Sequence, residues 1–235
     1  MKIALLGYGK MGKVIERIAL ERGHEIVLKK GRTSNYEGLE KADVAIDFSI
    51  PDSAVCNIKQ CFDTNIPVVC GTTGWLEHYD EMVSLCASKN GSFIYGSNFS
   101  LGVNIFFELN NYLAKMMSKF NQYKVSMQEI HHTQKLDAPS GTAISLAKGI
   151  IENSNYLNWT LENPAKNEVH IDAKRVENVP GTHSVFYDSD VDQIEIKHTA
   201  HNREGFALGA VIAAEWLANK KGVFTMKDVL SLNDK

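Results

Sequence analysis

From residue 2 to about residue 95, hydrophobic residues fall into short runs separated by amphipathic stretches. The runs read KIALLG, HEIVLKK, ADVAIDFS, IPVVC and GSFIY. ADVAIDF and IPVVC hardly alternate with polar residues, which is typical of strands buried on both faces. The stretches that end at Arg22, follow Pro51 and begin at Trp75 have helical spacing. This rhythm predicts an α/β domain of the Rossmann type, a doubly wound parallel sheet with helices on its faces.

The pattern changes in the second part of the chain. Apolar residues from Val103 to Phe120 recur at helical spacing and predict one long helix. A strand, KVSMQEI, follows, and a second helix is expected from Ala143 to about Glu152. The Asn-rich residues 153–163 are expected to form a loop.

Three strand candidates lie within residues 168–199, separated by turn sequences at 180–181 and 188–190. Tight turns join antiparallel neighbours, so the sheet is expected to be mostly antiparallel. This part is therefore predicted to be an α+β substrate domain with an open mixed or antiparallel sheet. Because an open sheet needs both faces covered, we expect oligomerisation through this domain.

An apolar helix over residues 206–218 and a short helix from Met226 complete the chain. We expect this C-terminal segment, residues 206–235, to return to the first domain. The predicted domains are residues 1–99 for dinucleotide binding and residues 100–205 for substrate binding and oligomerisation.

Composition narrows the possible functions. The chain has 235 residues, of which 44% are hydrophobic, and a formal net charge of −3. That charge gives no electrostatic case for a nucleic-acid partner. No apolar run is long enough for a signal peptide or a membrane span, and the four cysteines lack Cys-x-x-Cys or zinc-ligand spacing. We therefore expect a cytoplasmic protein without a metal site.

The first strand runs into a complete G-x-G-x-x-G fingerprint. Its residues are Gly7, Tyr8, Gly9, Lys10, Met11 and Gly12. In a strand-turn-helix context the first glycine permits the tight turn, the second lets the backbone approach a pyrophosphate, and the third allows close packing of helix and strand. The fingerprint predicts a dinucleotide cofactor, although a glycine-rich packed turn is the alternative.

The end of the second strand bears on the choice between NADH and NADPH. Sites that prefer NAD usually place an acidic residue there, but this chain reads LKKGRTS over residues 28–34. Arg32 suits the additional 2′-phosphate of NADP, so we expect NADPH to be accepted and preferred. For Lys29 and Lys30, a solvated basic loop explains the sequence equally well.

Two later loops follow strand C-termini, where open α/β sheets bind ligands. Their small polar residues and backbone groups are candidates for contacts with the nicotinamide half of the cofactor. The candidates are Gly71, Thr72 and Thr73 in the first loop and Gly96, Ser97, Asn98 and Phe99 in the second.

The most reaction-ready segment is EIHHTQKLDAPSGT, residues 129–142. His131 can exchange protons near neutral pH, and Lys135 can hold or protonate an anion. The helix that starts at Ser140 points backbone N–H groups at a carboxylate or phosphate. Adjacent residues on a strand face opposite sides, so His132 is the weaker assignment. Taken alone, Lys135 would be a solvated surface lysine.

Five motifs stand out along the chain: GYGKMG, GTTG, SNFSLGVN, the segment EIHHTQKLDAPSGT and the H-x-A-x-x-R-x-x-F-x-x-G-A stretch at 198–210. In this combination the chain resembles the 4-hydroxy-tetrahydrodipicolinate (dihydrodipicolinate) reductase family, and the resemblance covers essentially its whole length. The resemblance implies NADPH- or NADH-dependent reduction of a cyclic dicarboxylate to tetrahydrodipicolinate with loss of water, in diaminopimelate and lysine biosynthesis. It also implies a homotetramer.

The resemblance further implies site residues. His131 is expected as acid/base, Lys135 as proton donor or cation, and His132 as a substrate ligand. Gly141 and Thr142, with Ser140 at the helix start, are expected at a substrate carboxylate. The role of Arg203 stays open between closing over a ligand and a structural ion pair.

Two other functions remain in competition. One is another two-domain dehydrogenase of a small amino acid, similar to aspartate dehydrogenase. The helix start after HHxxK argues against it, because that combination suits two carboxylates on one ring. The other is a non-enzymatic redox sensor, which predicts that His131→Gln and Lys135→Ala leave function intact.

Overall fold

The computed structural model describes residues 1–232, so the last three residues of the expected C-terminal segment 206–235 lie outside it. The chain forms two compact units. The N-terminal unit comprises Met1–Leu101 together with the segment that begins at Glu204, and the central unit comprises Gly102–Arg203. The observed boundaries lie two residues from those expected at 99–100 and 205–206.

The strands among these residues are, in chain order, β1 (Lys2–Leu6), β2 (Glu25–Lys30), β3 (Val44–Asp47), β4 (Val68–Cys70), β5 (Ser92–Tyr95), β6 (Lys124–His131), β7 (Asn158–Thr160), β8 (Glu168–Arg175), β9 (Gly181–Asp188), β10 (Gln193–Ala200) and β11 (Gly222–Phe224). The helices are α1 (Lys10–Glu21), α2 (Pro51–Asp63), α3 (Tyr79–Ser88), α4 (Leu101–Met117), α5 (Gly141–Glu152), α6 (Glu204–Leu217) and α7 (Met226–Val229). Two short 3₁₀ turns lie at Leu39–Lys41 and Leu76–His78.

The N-terminal unit is built on a six-stranded sheet in the order β11-β5-β4-β3-β1-β2, with parallel pairing throughout. The strands β3 and β4 are completely buried, as their unbroken apolar runs predict. The predicted Rossmann-type parallel sheet is confirmed. Sequence analysis missed β11, a three-residue strand that adds to the edge of this sheet.

The helix α6 packs into the core of the N-terminal unit with β1, β3 and β5. Its Gly209 allows the close approach, since a Cβ there would lie 1.7 Å from the carbonyl oxygen of Phe99. Across residues 1–232, none of the helices is both long and apolar enough to cross a membrane.

The central unit has a five-stranded sheet in the order β10-β9-β6-β8-β7. The pairs β10–β9 and β9–β6 are antiparallel, whereas β6–β8 and β8–β7 are parallel. The expectation of a mostly antiparallel sheet is therefore wrong in detail, and the broader prediction of a mixed sheet is right. The reason is α5, which lies between β6 and β7 and returns the chain in the same direction. The predicted loop at 153–163 also contains β7.

One face of this sheet packs against α4 and α5. The buried cluster joins Phe106 and Leu113 on α4, Leu146 and Ile150 on α5, and Val185 on β9. The long helix predicted over 103–120 corresponds to α4, and its buried residues follow the predicted spacing. Because strand side chains alternate, every second residue of β6 points to the opposite face.

Candidate cofactor and substrate sites

A cleft of about 380 Å³ lies at the carboxyl ends of β1 and β3. β2 and β3 flank β1 on opposite sides, so the strand order of the sheet reverses at this point. Open parallel sheets bind ligands in the crevice at such a point. The lining consists of Gly7, Tyr8, Gly9, Lys30, Gly31, Arg32, Phe48, Ser49, Ile50, Ser53 and Asn57.

The three positions of the fingerprint are occupied by glycine for different reasons. Gly7 has a φ of 105°, and a Cβ there would lie 2.1 Å from the carbonyl oxygen of Phe48. A Cβ on Gly12 would lie 2.3 Å from the carbonyl oxygen of Gly7, so packing requires glycine at both position 7 and position 12. Around Gly9, the N-cap of α1, a Cβ would meet nothing within 4 Å. Packing does not explain Gly9, and the open space at this helix N-terminus is of the kind that the close approach of a pyrophosphate requires.

The three cations after β2 lie in different surroundings. Lys29 forms an ion pair with Glu16, and hydrogen bonding from that lysine lowers the pKa of Glu16. Lys30 lines the cleft and lies over the ring of Tyr36, 4.7 Å from its centroid. Arg32 is exposed, lines the cleft, and has no hydrogen bond or ion pair among the described residues. Arg32 is thus the cation most available to a phosphate.

Beside the cleft, Thr72 belongs to a buried network centred on Asp47. The Thr72 hydroxyl donates to the Asp47 carboxylate at 2.6 Å and accepts from the Ser49 N–H at 2.8 Å. Asn57 donates to the same carboxylate at 2.7 Å. Burial raises the pKa of Asp47, and these hydrogen bonds oppose the shift. The network fixes the loop after β3, so the Thr72 hydroxyl supports the wall of the cleft.

The other residues assigned to the cofactor from sequence lie outside the lining of the cleft. The exposed ones are Lys10, Thr73 and Ser97, and the half-buried ones are Met11, Gly71, Gly96 and Asn98. Phe99 is buried. Phe99 packs into the core of the N-terminal unit, which explains its apolar character without a ligand.

In the central unit, the segment EIHHTQKLDAPSGT joins the end of β6 to the start of α5. Ser140 is the N-cap of α5, and its Oγ accepts a hydrogen bond from the Ala143 N–H at 3.2 Å. Gly141 is exposed, and a Cβ there would meet nothing within 4 Å. The first N–H groups of a helix have no intrahelical acceptor, so this end of α5 can bind a carboxylate.

A completely buried carboxylate, Glu129, lies beneath this segment. Its Oε2 accepts a hydrogen bond from the Ser140 N–H at 3.0 Å. Its Oε1 accepts from both terminal nitrogens of Arg175, each at 3.3 Å. Arg175 is the register partner of His131 across the parallel pair β6–β8, which explains why the two strand ends share this carboxylate.

His131 is buried next to Glu129 and His183. Its Nδ1 lies 3.6 Å from the Glu129 carboxylate, and its ring meets the His183 ring edge-on at a centroid distance of 5.0 Å. Burial lowers the pKa of His131, against the opposing effect of Glu129. Burial lowers the pKa of His183 to about 3, so this ring is neutral at neutral pH. Its Nε2 lies 3.1 Å from the Ser140 Oγ, which can donate to it.

Lys135 lies in the loop between β6 and α5, and its side chain is 22% exposed. Its ammonium donates to both carboxylate oxygens of Asp137, at 2.7 and 2.8 Å. This pairing lowers the pKa of Asp137. Lys135 is therefore held by its own loop and remains partly exposed to water.

His132 lies apart from His131, as strand geometry predicts. It lines a second cleft of about 610 Å³ within the central unit, which also includes Glu177, His201 and Arg203. Thr142, at the first turn of α5, is half-buried. The structure thus groups His131 with the helix start at Ser140 and places His132 with Arg203.

Three potential metal ligands come together in this region. One ligand atom from each of Glu129, His131 and His183 lies within 4.8 Å of the others, and all three residues are buried. Their spacing along the sequence matches no common ligand motif, so the sequence could not indicate this group. Arg175 already supplies a positive charge to Glu129, and Ser140 lies within hydrogen-bond distance of His183. The geometry is explained without an ion.

The N-terminal unit carries the glycine fingerprint at the point where the strand order of its parallel sheet reverses. The central unit carries acid/base and anion-binding residues. This combination defines a two-domain NAD(P)H-dependent oxidoreductase. Residues 1–99 match the family model described as dihydrodipicolinate reductase, N-terminus. Residues 102–230 match the one described as dihydrodipicolinate reductase, C-terminus. The chain belongs to the dihydrodipicolinate reductase family.

Relatives agree with this assignment. The chain is 56% identical over 234 residues to a 4-hydroxy-tetrahydrodipicolinate reductase from Christiangramia forsetii, covering 98% of both proteins. It is 36% identical over 233 residues to a protein of the same name from Thermosipho africanus, again covering 98% of each. A dipicolinate-bound dihydrodipicolinate reductase from Paenisporosarcina shares the fold, with a TM-score of 0.77 and 22% identity over 96% of this chain and 97% of that one.

These findings confirm the family, the fold class and the NAD(P)H-dependent oxidoreductase activity predicted from sequence. Sequence analysis did not identify Asp47, Arg175 or His183 as parts of the sites. A signal existed for Asp47, which ends a buried strand at the sheet edge where ligands bind. Arg175 and His183 carried no local signal, because only the pairing of β8 and β9 with β6 brings them to Glu129.

Proposed function

We propose that this reductase converts 4-hydroxy-tetrahydrodipicolinate to tetrahydrodipicolinate with loss of water, in diaminopimelate and lysine biosynthesis. One observation carries the residue roles: His131, Lys135 and the exposed helix start at Gly141 all lie on one short segment over the buried Glu129. That segment combines an acid/base, a cation and an anion-binding helix end, which a cyclic dicarboxylate substrate requires.

The cofactor binds in the cleft of the N-terminal unit. Gly9 and its neighbours Lys10 and Met11 receive the pyrophosphate at the N-terminus of α1, while Gly7 and Gly12 shape the turn. Support comes from the open position of Gly9 in the cleft lining. The loops that contain Gly71 to Thr73 and Gly96 to Phe99 follow β4 and β5, the side on which such sheets bind the rest of a dinucleotide.

NADPH is the preferred cofactor in this proposal, and NADH is also accepted. The support is Arg32, which lines the cleft and is available for the 2′-phosphate. No acidic side chain lies between residues 28 and 34, where one would repel that phosphate.

The central unit binds and protonates the substrate. Lys135 binds a ring carboxylate as an ammonium, and the α5 helix start from Ser140 to Thr142 binds a carboxylate through backbone N–H groups. His132 serves as a further substrate ligand from the adjoining cleft. The bound nicotinamide supplies the hydride. Loss of the substrate's 4-hydroxyl group with a neighbouring C–H proton, as water, gives a conjugated C=C–C=N system. Adding a hydride to one carbon of that system leaves negative charge at another, and His131 delivers the proton there.

The active form is a homotetramer assembled through the central sheet. The proposal rests on the face of the central sheet that does not pack against α4 and α5. The alternation of β6 directs Ser126, Gln128 and Ile130 to this face. On that face Gln128 donates to Asp172 at 2.9 Å, and Ser184 of β9 is buried. A molar mass of four chains by light scattering is expected. A monomer at micromolar concentration would contradict the assembly without touching the catalytic proposal.

A cytoplasmic location fits a nicotinamide-dependent biosynthetic enzyme. All four cysteines are free thiols, and Cys61, Cys70 and Cys86 are buried. Free thiols persist in a reducing compartment. Fractionation of cells that express the full chain should place it in the cytoplasmic fraction, and recovery from an oxidising compartment would contradict this.

The activity is tested by generating the cyclic substrate enzymatically and following NADPH oxidation by the purified protein. Rapid oxidation that depends on the cyclic substrate is expected, with formation of tetrahydrodipicolinate. The competing amino-acid dehydrogenase function predicts instead that small amino acids, such as aspartate, support reduction of NADP. No oxidation with the cyclic substrate by a properly folded protein would overturn the proposed activity.

A further inference from the structure

The buried pair Glu129–Arg175 lies next to three parts of the proposed substrate site: His131, the loop that carries Lys135, and the start of α5. Glu129 is completely buried at the end of β6, and Arg175, which ends β8, has a side chain that is only 21% exposed. Burying two charges is favourable only when both are well paired and hydrogen bonded. A site that retains such a pair has a structural or functional use for it.

Arg175 contacts the backbone on both sides of the loop that carries Lys135. Its Nε donates to the carbonyl oxygen of Lys135 at 3.3 Å, and its Nη2 donates to that of Asp137 at 2.6 Å. Asp137 in turn holds the Lys135 ammonium with both carboxylate oxygens. The guanidinium therefore fixes the backbone at Lys135 and at Asp137.

Glu129 contacts the other two parts of the site. Its Oε2 accepts from the Ser140 N–H at 3.0 Å, which fixes the start of α5. The same oxygen lies 3.6 Å from the His131 Nδ1 and 3.7 Å from the His183 Nε2. One carboxylate thus fixes the anion-binding helix end by a hydrogen bond and lies beside the proton donor's ring, whose Nδ1 has no hydrogen-bond partner among the described residues.

We infer that Glu129 and Arg175 are positioning residues that hold His131, Lys135 and the start of α5 in one catalytic geometry. The inference rests on the proposed roles of His131 and Lys135. Neither Glu129 nor Arg175 needs to touch the substrate. Displacing catalytic groups by about 1 Å costs about 100-fold in rate, so loss of the pair is expected to act on catalysis without removing a reacting group.

The experiment compares Arg175→Lys, Arg175→Ala and Glu129→Gln with the parent. Lysine keeps the charge, but its three donors sit on one nitrogen and cannot reproduce the planar fork that reaches Glu129 and the carbonyl oxygens of Lys135, Lys174 and Asp137. We expect Arg175→Lys to lower kcat/KM for the cyclic substrate about 100-fold, with the KM for NADPH within about twofold of the parent. Lys119→Met is the control, because Lys119 is an exposed cation that follows α4, outside the proposed site and the central sheet. It should retain parent kinetics.

Chemical rescue separates positioning from a general loss of folding. Guanidinium ion added to Arg175→Ala should restore part of kcat/KM, whereas it should not help Lys135→Ala. If Arg175→Ala does not fold, Arg175→Lys and Glu129→Gln still give the kinetic comparison. Parent kcat/KM in both of these variants, while His131→Gln and Lys135→Ala are impaired, would overturn the inference alone. Parent activity in His131→Gln and Lys135→Ala would instead remove the proposed roles on which it rests.

Discussion

Replacing Arg32 with alanine tests how the cleft chooses its cofactor. A charge-assisted hydrogen bond contributes about 1.5–3 kcal/mol. Arg32 is exposed, and Lys30 remains in the cleft lining after the substitution, so the lower end of that range applies here. About 1.5 kcal/mol corresponds to roughly a tenfold loss in kcat/KM for NADPH. NADH has no 2′-phosphate, so its kcat/KM should change less than about twofold.

The assay measures initial rates with each cofactor at saturating cyclic substrate. Lys41→Ala removes an exposed cation outside the cleft lining and serves as the charge control. It should keep the parent ratio of NADPH to NADH efficiency. Repeating the NADPH measurements at high salt should narrow the difference between parent and Arg32→Ala, because salt screens an exposed pair. An Arg32→Ala enzyme with parent NADPH kinetics would refute the argument.

Four further substitutions test the packing and one ion pair. Tyr187→Phe removes a buried hydroxyl that has no hydrogen-bond partner within residues 1–232, so it should keep or raise the unfolding free energy. Tyr156→Phe leaves a β6 N–H unpaired and should lower the unfolding free energy by about 1 kcal/mol. Equal losses in urea titrations would contradict this. Gly12→Ala should lower the melting temperature and weaken NADPH binding, measured by calorimetry, because its Cβ would meet the first fingerprint glycine at 2.3 Å; a parent-like variant would show that the turn adapts. Hydrogen bonding from Arg22 lowers the pKa of Glu215 in the folded protein. The pair therefore stabilises the folded state at pH values above the pKa of the carboxyl group in the unfolded chain, and this stabilisation is lost as the pH falls through the folded-state pKa. Glu215→Gln should lower stability by at most about 1 kcal/mol at neutral pH and flatten the acid limb of melting temperature against pH; an unchanged limb would contradict it.

The N-terminal unit was predictable because its signals are local. Strand β3 is one unbroken apolar run, and the fingerprint stands directly between β1 and α1. The segment proposed to be catalytic could be singled out for the same reason, since His131, Lys135 and Ser140 lie within ten residues of each other. Patterns of this length need no knowledge of how distant strands pair.

The missed features depend on pairing. The parallel partners of β6 in the central sheet follow from the α5 crossover, which a reading of the later turns could not supply. Arg175 lies beside His131 only through that pairing, and His183 reaches Glu129 only through β9. The short β11 has three residues and no alternation to mark it. Long-range register, and not local propensity, determines these contacts.

The central claim is that His131 and Lys135 carry the chemistry of an NADPH-dependent reductase of a cyclic dicarboxylate. The most direct test measures kcat with the enzymatically generated substrate, and the Kd for NADPH, in the parent, His131→Gln and Lys135→Ala. General acid catalysis contributes about 100- to 10,000-fold, so each variant should lose at least about 100-fold in kcat while binding NADPH with parent affinity. Parent kcat in both variants would contradict the claim.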